Sequence, residues 1–305
     1  MKNLAICVRG SIRTWDVCKH SIFKTYRFDT LVQQPEIDWF FDTWDQDSFT
    51  YYEIDANGKT VVAERVTKTI DPKELEEQIR QDFKNAGMNL VSFNTHKFDP
   101  SLNPAESFLK LVNLSNQSKR LVELSRNFKY DVVLQIRPDV ITTFHGNPQG
   151  LNNLHQSIMQ SADHFILNYT SDISERVMCF SSIKLNDRYN TLVSDIPGVP
   201  DTIFYGKSQI IDLISGAYTH LSRKGEAFVF PHASLFLFMQ KYGVIMNNFT
   251  PNWLIVRNMK IEGKYDYQKY VETPDLINDE TSDFVDSVAQ CATIWYDLFD
   301  SHKII

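Results

Sequence analysis

Short apolar runs that stop abruptly alternate with longer stretches of helical periodicity over the first 140 residues, and that pattern leaves few folds open. Leu4-Ala5-Ile6-Cys7-Val8 ends at Arg9-Gly10-Ser11, which predicts a buried first strand and a turn. A helix is expected over residues 14–26 and a second strand over 37–44. Asp71-Pro72-Lys73-Glu74 opens another helix, with an N-cap acid and a proline at the first helical position, running to about residue 85. A third strand is expected at 89–93. A long helix over 104–128 follows, with Phe108, Leu111, Leu114, Leu121 and Leu124 as its apolar face. Asp131-Val132-Val133-Leu134-Gln135-Ile136 then reads as a central strand, stopped by Arg137-Pro138-Asp139. Strands alternating with helices mean βαβ units, so the expected class is α/β with a mostly parallel central sheet flanked by helices.

Asn57-Gly58, between β-prone runs at 51–54 and 60–63, signals a hairpin that leaves the main sheet. Further strands are expected at 163–168, 202–205 and 244–246, and helices at 208–221, 231–242 and 282–300. We expect one main domain over residues 1–250, with a C-terminal extension, 251–305, packed on it as a helical tail.

The 305 residues carry 31 Lys+Arg against 38 Asp+Glu, a net charge of −7, which argues against broad affinity for nucleic acid. Aromatics reach 13%, enough to fill a core and line a pocket. The four cysteines, Cys7, Cys18, Cys179 and Cys291, show no metal or redox spacing, as expected of a reducing, cytoplasmic protein. The most apolar later stretch, 227–239, is broken by Pro231 and His232 and is too short to span a bilayer, so no membrane insertion is expected.

Three places can carry chemistry. In Arg9-Gly10-Ser11-Ile12-Arg13, a small residue at the end of the first strand lets backbone approach a ligand, and two guanidiniums can grip phosphate. An ordinary turn with solvated arginines is the alternative. In Arg137-Pro138-Asp139, the carboxylate can hold a divalent cation that bridges a diphosphate, with the arginine neutralising phosphate charge. Equally, the two can form an internal pair that closes the turn. Downstream, Asp195, Asp201, Glu226 and His232 are candidate acids and bases, Asp201 standing just before a strand where it can deprotonate a hydroxyl. For each of these four, a structural role is the alternative. There is no G-x-G-x-x-G, P-loop, G-x-S-x-G, H-E-x-x-H or EF-hand signature.

Taken in order, these segments resemble a family of viral and bacterial glycosyltransferase-like proteins with a GT-A-type, Rossmann-like fold. Residues 4–15 look like the family's opening strand and its Gly-x-x-Arg turn. Asp38-Trp39-Phe40-Phe41-Asp42-Thr43-Trp44 is similar to its second strand, and residues 130–140 resemble the strand that ends in an Arg-x-Asp version of the Asp-x-Asp motif. Pro200-Asp201-Thr202-Ile203-Phe204-Tyr205 looks like the family's Asp-containing strand before a helix. The likeness runs from residue 1 to about 245. Arg137 replaces the first carboxylate of the usual motif, and His232 stands where relatives often have Glu.

The resemblance implies a transferase that moves a sugar from a nucleoside-diphosphate donor to an acceptor hydroxyl. Arg9, Gly10, Arg13, Arg137 and Asp139 would bind the donor, with Asp139 holding Mn²⁺ or Mg²⁺ if a cation is needed. Asp201 and His232 would be the catalytic acid and base candidates. The acceptor would be a glycan or, as a minority reading, a hydroxylated base in viral DNA, for which Lys2, Lys19, Lys24 and Arg27 can supply charge or else form a solvated helix face. Two rivals remain at this point: a nucleotidyltransferase that activates a sugar phosphate, and a non-catalytic sugar-nucleotide-binding protein.

Overall fold

A computed structural model describes residues 2–54, 60–143, 148–160, 176–180, 203–224, 235, 238, 245–249, 252–255, 260–261 and 265–266. In chain order these form β1 (Asn3–Arg9), α1 (Trp15–Thr25), β2 (Glu36–Trp44), β3 (Gln46–Ile54), β4 (Thr60–Thr69), α2 (Pro72–Asn85), β5 (Leu90–His96), α3 (Pro104–Arg126) and β6 (Val132–Ile136). After them come β7 (Val140–Thr143), α4 (Pro148–Gln160), β8 (Arg176–Phe180), β9 (Ile203–Lys207), α5 (Ser208–Ser215), α6 (Ala217–Lys224), β10 (Ile245–Phe249) and β11 (Asn252–Ile255). Two short strands, β12 (Lys260–Ile261) and β13 (Tyr265–Asp266), pair with each other.

The main sheet has seven described strands in the order β10-β8-β9-β6-β1-β2-β5. Of these only β9 runs against its neighbours, antiparallel to both β6 and β8, so the sheet is mostly parallel as expected. From β1 the chain builds outward through β2 to β5, then returns through α3 to lay β6 on the other side of β1. The strand order therefore reverses between β1 and β6. The hairpin β3–β4 forms a separate antiparallel ribbon, as the Asn-Gly signal predicted, and β11 pairs with β7 in another.

Period-2 alternation along the strands sends side chains to two cores. On one face Leu4, Ile6, Val8, Trp39, Phe41, Val132 and Leu134 pack beneath α1, α2 and α4. There Phe83 of α2 sits among Trp15, Phe23, Trp39 and Phe41, stacked on Trp15 at 5.9 Å and edge-on to Phe23 at 4.9 Å. On the other face Ala5, Cys7, Phe40, Val133 and Phe204 pack beneath α3, α5 and α6.

The helix starts follow local chemistry. The Asp71 carboxylate accepts from the Lys73 and Glu74 amides ahead of α2, with Pro72 in the first turn. Asn103 and Glu106 form a reciprocal capping box at α3, and Asn127 ends that helix in the left-handed conformation.

Four expectations need correction. Leu121 and Leu124 of α3 do not face the core: they are 67% and 74% exposed. The buried stripe of the helix instead runs through Ala105, Leu109, Val112, Asn116, Lys119 and Glu123, because its second half packs polar groups against α5. The helix expected over 208–221 is two helices, broken at Gly216, whose amide caps the carbonyl of Leu213. Neither β7 nor α4 was anticipated. Finally, Lys19, expected in a solvated charge run, bonds Asp82 at 2.9 Å and is only 16% exposed. The expected strand at 163–168 and helix at 282–300 lie outside the described residues, as does the helix at 231–242 apart from Leu235 and Phe238, which are helical. No described helix is long and apolar enough to cross a membrane.

Candidate functional site

In an open α/β sheet, the point where strand order reverses leaves a crevice outside the carboxyl ends of the two strands, since the adjoining connections depart to opposite faces. Here that point lies between β1 and β6, paired from Leu4↔Val132 to Val8↔Ile136. The turn after β1 leads into α1 on one face, and α3 reaches β6 across the other. Gly10, Arg13, Arg137 and Asp139 all stand at this place.

Gly10 has φ +147°, a conformation that side-chain-bearing residues rarely adopt. A Cβ there would lie 2.8 Å from Cδ of Pro138, so only glycine lets the turns after β1 and β6 touch. The Gly10 amide donates to the Asp42 carbonyl at 3.3 Å, tying the same turn to β2.

Across this contact the charged groups meet. Arg137 donates to both oxygens of Asp139, Nε to Oδ1 at 2.8 Å and Nη2 to Oδ2 at 2.6 Å. Arg13 Nη1 lies 3.9 Å from the same Oδ2. The Asp139 side chain is 2% exposed, whereas those of Arg13 and Arg137 are 23% and 15% exposed. The carboxylate thus lies underneath and the guanidiniums lie towards solvent. Among the described residues, two guanidiniums stand here against the one carboxylate of Asp139. The internal Arg137–Asp139 pair, one of the two sequence readings of this turn, is present.

This donor set does not fit a divalent cation at Asp139. A hard cation needs several oxygen ligands, and the one carboxylate that the described residues place here is buried and chelated by a guanidinium with a second close by. Among the described residues no three His, Cys, Asp or Glu side chains gather as a metal-holding group.

Arg9 is placed elsewhere. It is 2% exposed, and its guanidinium carbon sits 4.7 Å from the Phe108 ring centroid and 5.0 Å from that of Phe204, on the α3 side of the sheet. Asp201 and His232 lie outside the described residues, as do Asp195 and Glu226.

A polar cluster that the sequence reading missed borders the same carboxyl edge. Asp42, near the end of β2 and fully buried, accepts at Oδ1 from Ser118 Oγ at 2.9 Å and Asn94 Nδ2 at 3.2 Å, and His96 Nε2 lies 2.8 Å away. His96 ends β5 and is 21% exposed. The signal was available: an acid inside the run Trp39-Phe40-Phe41-Asp42-Thr43-Trp44 can be buried only with partners. Beneath this edge the Cys7 thiol is pushed up to about 12, chiefly by burial and then by the Asp42 charge, so it stays protonated.

No protein-family model matches the chain, and no curated protein is significantly similar to it in sequence. Among solved structures, a Bacillus anthracis protein assigned as a glucose-1-phosphate thymidylyltransferase, in complex with sucrose, aligns at 10% identity and TM-score 0.38, over 84% of this chain and 89% of its own. The glycosyltransferase GlyE of Streptococcus pneumoniae TIGR4 aligns at 11% and 0.37, over 81% of this chain but 45% of its own. A glycosyltransferase involved in glycosylation of the major capsid of PBCV-1 aligns at 9% and 0.34, over 81% and 82%. Likenesses at these scores are too weak to bring an activity to this chain.

Proposed function

We propose that the protein is a glycosyltransferase that takes a sugar from a nucleoside-diphosphate donor and passes it to an acceptor hydroxyl. The observation that supports this is the convergence of Gly10, Arg13, Arg137 and Asp139 outside the carboxyl ends of β1 and β6, where the strand order reverses. A partly exposed pair of guanidiniums suits a diphosphate, and its charge is most useful as the diphosphate departs. Arg13 and Arg137 carry that role in this reading. Arg9 contributes only as a buried positive charge. Asp201, two residues before β9, is assigned to orient or deprotonate the acceptor hydroxyl, with His232 as the second candidate. The acceptor is a glycan in this reading.

The test is thermal unfolding of the full chain against a panel of nucleoside diphosphates and their sugars. A ligand bound only by the native state at 100 times its Kd adds about 2.7 kcal/mol. The expected result is a shift with one nucleotide and its sugar, reduced in Arg13→Ala. Incubated with acceptor, the enzyme should then release free nucleoside diphosphate. Release of pyrophosphate from a nucleoside triphosphate and a sugar phosphate would replace this reading with the nucleotidyltransferase one. A well-folded chain that shifts with none of the panel would end the donor-site assignment.

A further inference from the structure

We infer that the diphosphate site at the β1–β6 crevice works without a divalent cation, with Arg13 and Arg137 carrying the phosphate charge and Asp139 serving as the buried anchor that aims them. This deepens the donor-site reading above and rests on it.

Three observations lead there. First, the carboxylate that a cation would need is chelated: Arg137 Nε and Nη2 donate to its two oxygens at 2.8 and 2.6 Å, and Arg13 Nη1 stands 3.9 Å from Oδ2. A cation at Asp139 would have to displace one guanidinium and sit beside another, a like-charge contact around a carboxylate that is 2% exposed. Second, the guanidiniums and not the carboxylate are the groups nearer solvent. The two cations face outward at 23% and 15% exposure, while the carboxylate lies beneath them. Third, the turns that carry the two arginines are brought together, and both guanidiniums lie against the same carboxylate. The turns meet at the Gly10–Pro138 contact, in which a Cβ on Gly10 would come within 2.8 Å of Pro138 Cδ. Planar, always-charged donors anchored on one carboxylate match phosphate oxygens and lose less freedom on binding than unanchored ones. Asp139 is then a positioning residue, and it reaches the ligand only through the arginines.

The experiment is calorimetric titration of the full chain with inorganic pyrophosphate and with the nucleoside diphosphate selected by the unfolding panel. Each is run in EDTA and again in Mg²⁺ or Mn²⁺. The expected Kd in EDTA lies within about threefold of that in metal, and Arg13→Ala weakens both about tenfold or more. In Asp139→Asn, which keeps an acceptor oxygen but loses the charge, affinity falls by the same factor in EDTA as in metal. Binding of the diphosphate only in metal, or an Asp139→Asn loss confined to the metal-containing buffer, would overturn this inference while leaving the donor site standing. Absence of binding under every condition would remove the donor site itself, and this inference with it. The EDTA comparison uses the unaltered chain, so it remains decisive even if a variant fails to fold.

Discussion

The two faces of the sheet are made by the same strands and built on different physics. Beneath α1, α2 and α4 the core is aromatic and aliphatic, with Phe83 touching four other rings. Beneath α3 and α5 buried charge is threaded through the core. Lys119, wholly buried, donates to Glu123, Ser208 and Asp212, and Glu123 also accepts from Ser208 and from the Tyr130 amide. Asp42 and Arg9 are buried on this face too. An apolar core rewards any arrangement that removes area from water, whereas an ionic one is favourable only when each partner is in place. The α3 face therefore fixes where α5 sits against α3 more strictly than the α1 face fixes its helices.

The largest effect should come from the apolar side. Phe83→Ala empties the centre of the ring cluster and should cost about 3–5 kcal/mol in denaturant unfolding. If it cost under about 1 kcal/mol, the ring cluster would not be the main support of that face.

Next is Lys119→Ala, which leaves Glu123 and Asp212 without their buried counter-charge and should cost about 3 kcal/mol. Replacing the acids together with the lysine by apolar residues should restore much of it, because a matched removal leaves no uncompensated ion. Failure of that restoration would mean the network does more than balance its own charge.

A smaller effect comes from pH. His155 on the apolar side is buried, lies 2.6 Å from the Thr25 carbonyl through Nε2 and 2.6 Å from Thr30 Oγ1 through Nδ1, and stacks on Phe28. Burial holds its pKa below the ordinary value, against the opposing pull of the Thr25 carbonyl and Asp29. The unfolded chain then binds more protons than the native one between the lowered pKa and about 6.5, so stability rises with pH through that window and is lost as pH falls. His155→Gln should flatten the dependence, read as Tm between pH 5 and 7.

The smallest effect is expected at Leu124→Lys, within about 0.5 kcal/mol of the parent, because the side chain is already largely in water. A loss of about 2 kcal/mol or more would restore the core role that apolar periodicity suggested.

That last residue shows where the sequence could be read and where it could not. β1, β2 and β6 were legible because a parallel strand buried on both faces must be a continuous apolar run. The start of α2 was legible because Asp71-Pro72 is a local instruction. The orientation of α3 was not, since Asn116, Lys119 and Glu123 read as surface residues until Asp212, Ser208 and Ser215 are brought beside them from far along the chain. At the site, the turns carrying Gly10, Arg13, Arg137 and Asp139 were marked by where the apolar runs stopped. The chelation of Asp139 stayed ambiguous because an arginine two residues from an acid can point either way. Arg9 had a clue in its parity: Ala5 and Cys7 face α3, and two residues further on so does Arg9.

The contact between Gly10 and Pro138 also bears on how the protein opens. That contact has no local precursor, because its two sides are contributed by turns widely separated in the chain and meet only when β6 lies beside β1. Separation of the two central strands would dismantle it. A ligand held there should accordingly slow hydrogen exchange at the most protected amides of β1 and β6, and occupancy would report on the integrity of the whole sheet.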